Sequence, residues 1–200
     1  MNDNNDDELI HFADDGDQSE WTVESDAPWR ILLVDDDPQV HEATRFALED
    51  QLILGYPVEL HKAESGNEAR QMLETENEYA CILLDVVMES EDAGLALVSF
   101  IRENLSNRRT RIILRTGQPG HAPELEVIEQ YDINDYKAKN ELTQNRLITT
   151  LTAALRSYQQ TCTIDESREG LELIINGAFD FFRNRGAEEI ARGVLMQLCT

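Results

Sequence analysis

From residue 28 onward this chain alternates short apolar runs with stretches of helical periodicity, and few folds accommodate that pattern. The runs are Ile31-Leu32-Leu33-Val34, Cys81-Ile82-Leu83-Leu84, Ile112-Ile113-Leu114 and, less purely, Ile133-Asn134-Asp135-Tyr136. Short continuous apolar runs bounded by polar residues mark strands buried on both faces, as in parallel sheets. The pattern predicts a first strand over 30–34 and a helix from Pro38, then a strand near Val58 to Lys62 and a helix capped by Ser65. Strands at 80–84, 111–115 and 133–137 follow, with helices near 93–103 and 122–130 and a last one beginning near Glu141. Five strand–helix units joined by right-handed crossovers make an α/β, doubly wound (βα)5 parallel sheet of strand order 2-1-3-4-5.

Five residues stand at or just past the ends of these strands: Asp35, Asp36, Asp85, Thr116 and Lys139. Scattered in sequence, they should converge at the carboxyl edge of such a sheet, where strands one and three flank the point at which the winding reverses. Three clustered carboxylates repel one another unless a cation sits among them, and a hard divalent ion such as Mg²⁺ prefers oxygen ligands. The set therefore reads as a site for magnesium and a phosphoryl group. Asp37 reads as the cap of the first helix, since two acids already suffice for the metal.

Charge and composition narrow the partners. With 17 basic and 40 acidic residues the net charge is −23, which disfavours nucleic acid and anionic lipid as partners. Ten of the acids fall in residues 1–27, which hold no Lys or Arg; this segment reads as a disordered acidic tail. The three cysteines are far apart and form no metal-ligand pattern. No leader sequence opens the chain and no apolar run is long enough to cross a bilayer, so the expected location is the cytoplasm.

After the last α/β unit the periodicity stays helical. Ile148, Leu151, Leu155, Tyr158 and Cys162 step by three and four; Leu171, Ile174, Ile175, Ala178 and Phe182 signal a second helix ending near Gly186; Ala187 to Leu198 signal a third. The expected organisation is a tail at 1–27, an α/β domain at 28–157, and a helical extension at 158–200 that begins a second domain or serves dimerisation.

The stretches ILLVDDDP, CILLDVVM, IILRTG and DYKAKNEL, in this order and on these strands, resemble the receiver domain of two-component response regulators over roughly residues 29–157. That resemblance implies Asp85 as phosphoacceptor, Mg²⁺ held by Asp36, Asp85 and the carbonyl of Val87 with Asp35 acting through water, and Lys139 and Thr116 contacting the phosphoryl group. It implies Tyr136 as the aromatic that turns inward with Thr116. Implied partners are a sensor histidine kinase or phosphotransfer protein, a downstream output domain, and a second copy of the chain. The copy would meet the surface of the fourth helix, fifth strand and fifth helix of the series, or the C-terminal helices. WRILLVDDDP, DVVMESEDAGL, RTGQPGHAPE, YDINDYKAKNELT, RSYQQ, REGLELIINGAFDFF and ARGVLMQL further resemble a subgroup. In it the receiver precedes a poorly characterised middle domain and an HD-GYP domain that hydrolyses cyclic di-GMP. The chain has no His-Asp doublet, so any phosphodiesterase activity is expected outside it.

The family pattern is broken in places. Asn140 stands where receivers carry a cis proline, and a non-proline cis bond costs about 3 to 4 kcal/mol. Glu89 replaces another usual proline and Gly94 falls one residue late, which predicts a longer, more acidic loop over the site. Val87 and Gln118 occupy positions that influence attack of water on the phosphoryl group; valine cannot orient water, which implies slow autodephosphorylation. Arg108, Arg109, Arg111 and Arg115 read as a solvated cluster or a dimer face. His11, His41, His61 and His121 read as dispersed surface or helix-face residues. Two other functions stay open: a haloacid-dehalogenase-type Mg²⁺ phosphatase using Asp35-Asp36-Asp37, and a receiver-fold binding module that no longer takes phosphate.

Overall fold

The structure, a computed structural model, describes residues 27–75, 78–117, 132–138 and 143–181. The strands are β1 (Trp29–Val34), β2 (Leu52–Ile53), β3 (Tyr56–Ala63), β4 (Cys81–Asp85), β5 (Arg111–Thr116) and β6 (Asp135–Ala138). The helices are α1 (Pro38–Leu48), α2 (Gly66–Thr75), α3 (Ala93–Ser99) and α4 (Gln144–Phe181), with a π-helical turn over Phe100–Asn104. The sheet order is β2-β3-β1-β4-β5-β6, with every pairing parallel except β2 with β3. Without β2 this is the expected 2-1-3-4-5 order. The added strand is a hairpin: Leu54 and Gly55, with φ of 54° and 88°, join Ile53 to Tyr56, the backbone that a two-residue turn between twisted strands requires.

Alternation along each strand builds two cores. Leu32, Val34, Ile82, Leu84, Ile112 and Leu114 face α2 and α3, where Leu73, Leu97, Val98 and Ile101 meet them. Ile31, Leu33, Cys81, Leu83 and Ile113 face α1 and α4, which contribute Leu48, Leu147, Leu151 and Leu155. Burial on both faces explains why these strands read as unbroken apolar runs. It also pushes the Cys81 thiol up to about 12, leaving it inert.

Local chemistry sets the helix starts. Asp37 Oδ1 accepts the Gln39 N–H at 2.9 Å with Pro38 in the first turn, so it caps α1 as expected. Ser65 Oγ accepts the Glu68 N–H at 3.2 Å while Glu68 reaches back to the Glu64 N–H at 2.7 Å, a reciprocal arrangement close to a capping box. The predicted helix over 93–103 changes register midway: Leu105 N–H bonds the Phe100 carbonyl at 3.1 Å, five residues back. Arg102 fixes this turn by donating to Asn107 O at 2.7 Å and to Asp132 O.

The C-terminal pattern gives one continuous helix through residues 144–181, where the sequence signals two separate ones. Neither proline nor a turn-forming pair interrupts 162–171. Arg109 also holds this stretch to the core, pairing with Asp165 at 2.7 Å and Glu169 at 3.2 Å. The acidic tail, the helix expected over 122–130, the start near Glu141 and the helix over 187–198 lie outside the described residues.

Candidate functional site

Asp35 follows β1 directly, Asp85 ends β4 and Thr116 ends β5. Because β1 and β4 are neighbours, Asp35 and Asp85 are brought together where the crossovers diverge. Asp35, Asp36 and Asp85 each offer an oxygen, and these oxygens all lie within 4.8 Å of one another. Asp35 and Asp85 are buried and Asp36 is exposed. An all-oxygen donor set with two buried carboxylates and one open to water fits a hard divalent cation.

The surrounding backbone holds the acids in place. The Asp35 N–H donates to the Ala63 carbonyl at 3.1 Å, and Asp35 Oδ1 accepts the Asp37 N–H at 3.0 Å. His41 Nε2 lies 2.6 Å from the Asp35 carbonyl oxygen. His41 is therefore buried on the inner face of α1 against the site, so of the two expected places, surface or helix face, it takes the second. On the other strand the Val86 N–H bonds the Arg115 carbonyl at 3.1 Å, and the Gly94 N–H bonds the Val86 carbonyl at 3.0 Å. Gly94 is needed for this approach: a Cβ there would lie 2.8 Å from Val86 Cα and closer still to the Asp85 carbonyl oxygen.

In the loop after β4, the side chain of Glu89 is engaged away from the three acids. Glu89 accepts the Gly66 N–H at 3.2 Å, so its carboxylate serves the first turn of α2, where a negative charge is favoured. Val87 is half exposed. Thr116 is buried, and the Asp85 to Arg115 register sets it one step beyond Asp85 on the neighbouring strand. Tyr136 pairs with Leu114, packs in the core facing α2 and α3, and is 7% exposed; its ring is already inward. Lys139, Asn140 and Gln118 lie outside the described residues.

Of the four arginines read as a solvated cluster, Arg115 is buried at 6% exposure, which corrects that reading. Its guanidinium donates to Thr44 Oγ1 on α1 at 3.3 Å. Burial pushes its pKa down, and attraction to Asp35 and Asp85 pulls it back. The available signal was its place in the strand: in IILRT it occupies a position that parity assigns to the interior.

The sequence profile described as the response regulator receiver domain matches residues 31–152. The chain belongs to the response regulator receiver family. A second profile, Domain of unknown function (DUF3369), matches residues 151–200. The 3'3'-cGAMP-specific phosphodiesterase 2 of Vibrio cholerae is 44% identical over 183 residues, covering 92% of this chain and 35% of that protein. The transcriptional regulatory protein SrrA of Staphylococcus aureus is 31% identical over 137 residues, covering 68% of this chain and 52% of that one. The receiver chain thus spans about a third of the first relative's length and about half of the second's. In fold it is similar to the signal receiver domain of an HD domain-containing protein from Pseudomonas fluorescens, with a TM-score of 0.57 at 24% identity, over 67% of this chain and 99% of that one. None of these similarities favours the phosphatase reading, and the receiver is one of a two-component system. No helix among the described residues is long and apolar enough to cross a membrane.

Proposed function

We propose that Asp85 is the phosphoacceptor of this receiver and that its phosphorylation controls an output domain following the chain. The observation that carries the reading is the convergence of Asp35, Asp36 and Asp85 within 4.8 Å at the end of the strand beside Thr116. A carboxylate oxygen of Asp85 attacks the phosphorus of a phosphohistidine on a sensor kinase or phosphotransfer protein, or of a small donor such as acetyl phosphate. The P–O bond to Asp85 forms as the bond to the donor breaks, and the leaving group departs with the electron pair. Asp36, Asp85 and the Val87 carbonyl would hold Mg²⁺, with Asp35 through water; when bound, the ion neutralises charge on the phosphoryl oxygens. Thr116 donates its hydroxyl to the attached group, Lys139 supplies a compact positive charge to it, and Tyr136 keeps its inward position while Thr116 is so engaged.

The output reading rests on the similarity to a protein named as a phosphodiesterase of 3'3'-cGAMP. Residues 28–157 act as the receiver and 158–200 begin the next domain. Hydrolysis of a cyclic dinucleotide such as 3'3'-cGAMP or cyclic di-GMP then belongs to a domain outside this chain. The setting is the cytoplasm, where such kinases and nucleotides meet. A homodimer would form through the exposed apolar residues Ile164, Leu171, Ile174 and Ile175 of α4 or through the face built on β6.

The test is incubation of the chain with acetyl phosphate and Mg²⁺ followed by intact mass. A single phosphoryl adduct that is absent in Asp85→Asn supports the switch. Phosphate release without an adduct, or no reaction at all, overturns it.

A further inference from the structure

Arg115 is a buried charge to which the phosphoacceptor reading gives no role. Strand parity puts it on the face of β5 shared with Ile113, the side of α1 and α4. Asp85 shares the parity of Leu83 on β4, and Asp35 that of Leu33 on β1, so both acids lie on this same face. The register pairs Asp85 with Arg115 directly, and Arg115 with Lys137 beyond it. Across the carboxyl edge the sheet therefore carries two acids followed by two bases on one face. Opposite charges at directly paired positions attract, and like charges there destabilise.

The guanidinium makes one hydrogen bond to a neutral hydroxyl, that of Thr44, and its Nε has no hydrogen-bond partner among the described residues. A buried arginine remains charged, and the carboxylates whose field reaches it are Asp35 and Asp85. A hydrogen-bond anchor for α1 alone would need no charge here; a buried charge is tolerated where it is compensated.

We propose that Arg115 is a positioning residue, a fixed internal cation beneath the acidic pocket that offsets the repulsion between Asp35 and Asp85 and thereby lowers the pocket's affinity for Mg²⁺. The second half rests on the proposed metal site; the first does not. The pocket keeps its shape without metal, and it releases the ion more readily than the same pocket without Arg115 would.

The test is a double-mutant cycle in EDTA on the whole chain, with Arg115→Met and Asp35→Asn, read by thermal unfolding. Asp35→Asn should raise the melting temperature when combined with Arg115→Met, and lower it or leave it unchanged when Arg115 is retained. Effects that simply add would overturn the proposal. With Mg²⁺, calorimetric titration should show Arg115→Met and Arg115→Gln binding at least fivefold tighter than wild type. Arg115→Lys should stay within twofold, and Thr44→Val should behave like wild type. Unchanged or weaker binding in folded Arg115→Met overturns the metal half. Variants that stay unfolded even in saturating Mg²⁺ make Arg115 a general structural residue and overturn both halves. If the wild-type chain binds no Mg²⁺, the metal reading of the site fails, and the EDTA cycle still decides whether Arg115 offsets the acids.

Discussion

Replacing Gly94 by alanine tests the packing that holds Asp85 in place. The added methyl would sit 2.8 Å from Val86 Cα and still nearer the Asp85 carbonyl oxygen, whereas carbon atoms prefer about 3.5 to 4.0 Å. Neither neighbour is the end of a flexible side chain: both belong to the backbone leaving β4, held by the bonds of Val86 N–H to Arg115 and of Gly94 N–H to Val86. Relief requires α3 to move off the sheet by about 1 Å, the shortfall from normal carbon contact. That movement loosens Ala93, Leu97, Val98 and Ile101 in the core. Overpacking of a rigid site costs about 1 to 3 kcal/mol, sometimes more, and backbone neighbours place this one near about 3. For a chain of this size about 3 kcal/mol lowers the melting temperature by about 6 to 12 °C. Gly117→Ala is the control: no atom of the described residues lies within 4 Å of its added methyl, so the effect should stay within about 0.5 kcal/mol. Thermal unfolding of the two variants and wild type reads the contrast, and acetyl phosphate labelling of Gly94→Ala should slow because Asp85 is displaced. A Gly94→Ala variant that melts within about 2 °C of wild type would refute the reasoning.

Three further outcomes are expected. Mg²⁺ at a hundred times its dissociation constant should stabilise the chain by about 2.7 kcal/mol; the gain should vanish in Asp36→Asn, and a wild-type melting temperature that ignores Mg²⁺ would count against the metal site. The acyl phosphate on the isolated chain should persist for many minutes, because Val87 offers no group to orient water; decay within seconds would contradict this. Arg109→Ala should cost less than about 1 kcal/mol, since its ion pairs are exposed. Amide exchange should nevertheless quicken in α4 beyond Cys162 and stay unchanged at Leu147 to Leu155; uniform exchange would show that the clasp is idle.

What the sequence disclosed followed from how local its causes were. The parallel strands were legible because burial on both faces leaves no polar position inside a run such as ILLV, and the caps at Asp37 and Ser65 act within three residues of themselves. The acidic triad was legible because each member ends a strand or lies within two residues of its end. The hairpin of β2 was hidden because Leu54 takes a positive φ that favours glycine or asparagine. The π-turn after α3 was hidden because the Arg102 bonds to Asp132 cross from another segment. Arg115 was misread, and the choice between surface and helix face for His41 was left open, for the same reason: burial of a polar side chain depends on partners such as Thr44 and the Asp35 carbonyl, which sequence spacing does not pair. The contact of Glu89 was not legible, because the α2 amide that it serves is 23 residues away.

The two ends of β5 connect the proposed switch to its exit. Thr116 closes the strand beside Asp85, and Arg109, two residues before the strand begins, grips α4 through Asp165 and Glu169. A six-residue strand is about 20 Å of hydrogen-bonded backbone, paired on both sides with β4 and β6, so it transmits displacement better than it absorbs it. About two turns before Asp165 on the same face of α4, Trp29 holds Tyr158 edge-on at 6.4 Å and bonds the Ile53 carbonyl at 2.8 Å, which ties the helix to the sheet before the clasp. Beyond that point Ile164, Leu171, Ile174 and Ile175 are exposed. If Asp85 is phosphorylated as proposed, a pull on Thr116 by the phosphoryl group would reach α4 through the arginine clasp, just past the aromatic anchor. The helix would then respond there by changing direction, with Leu147, Leu151 and Leu155 kept in the core.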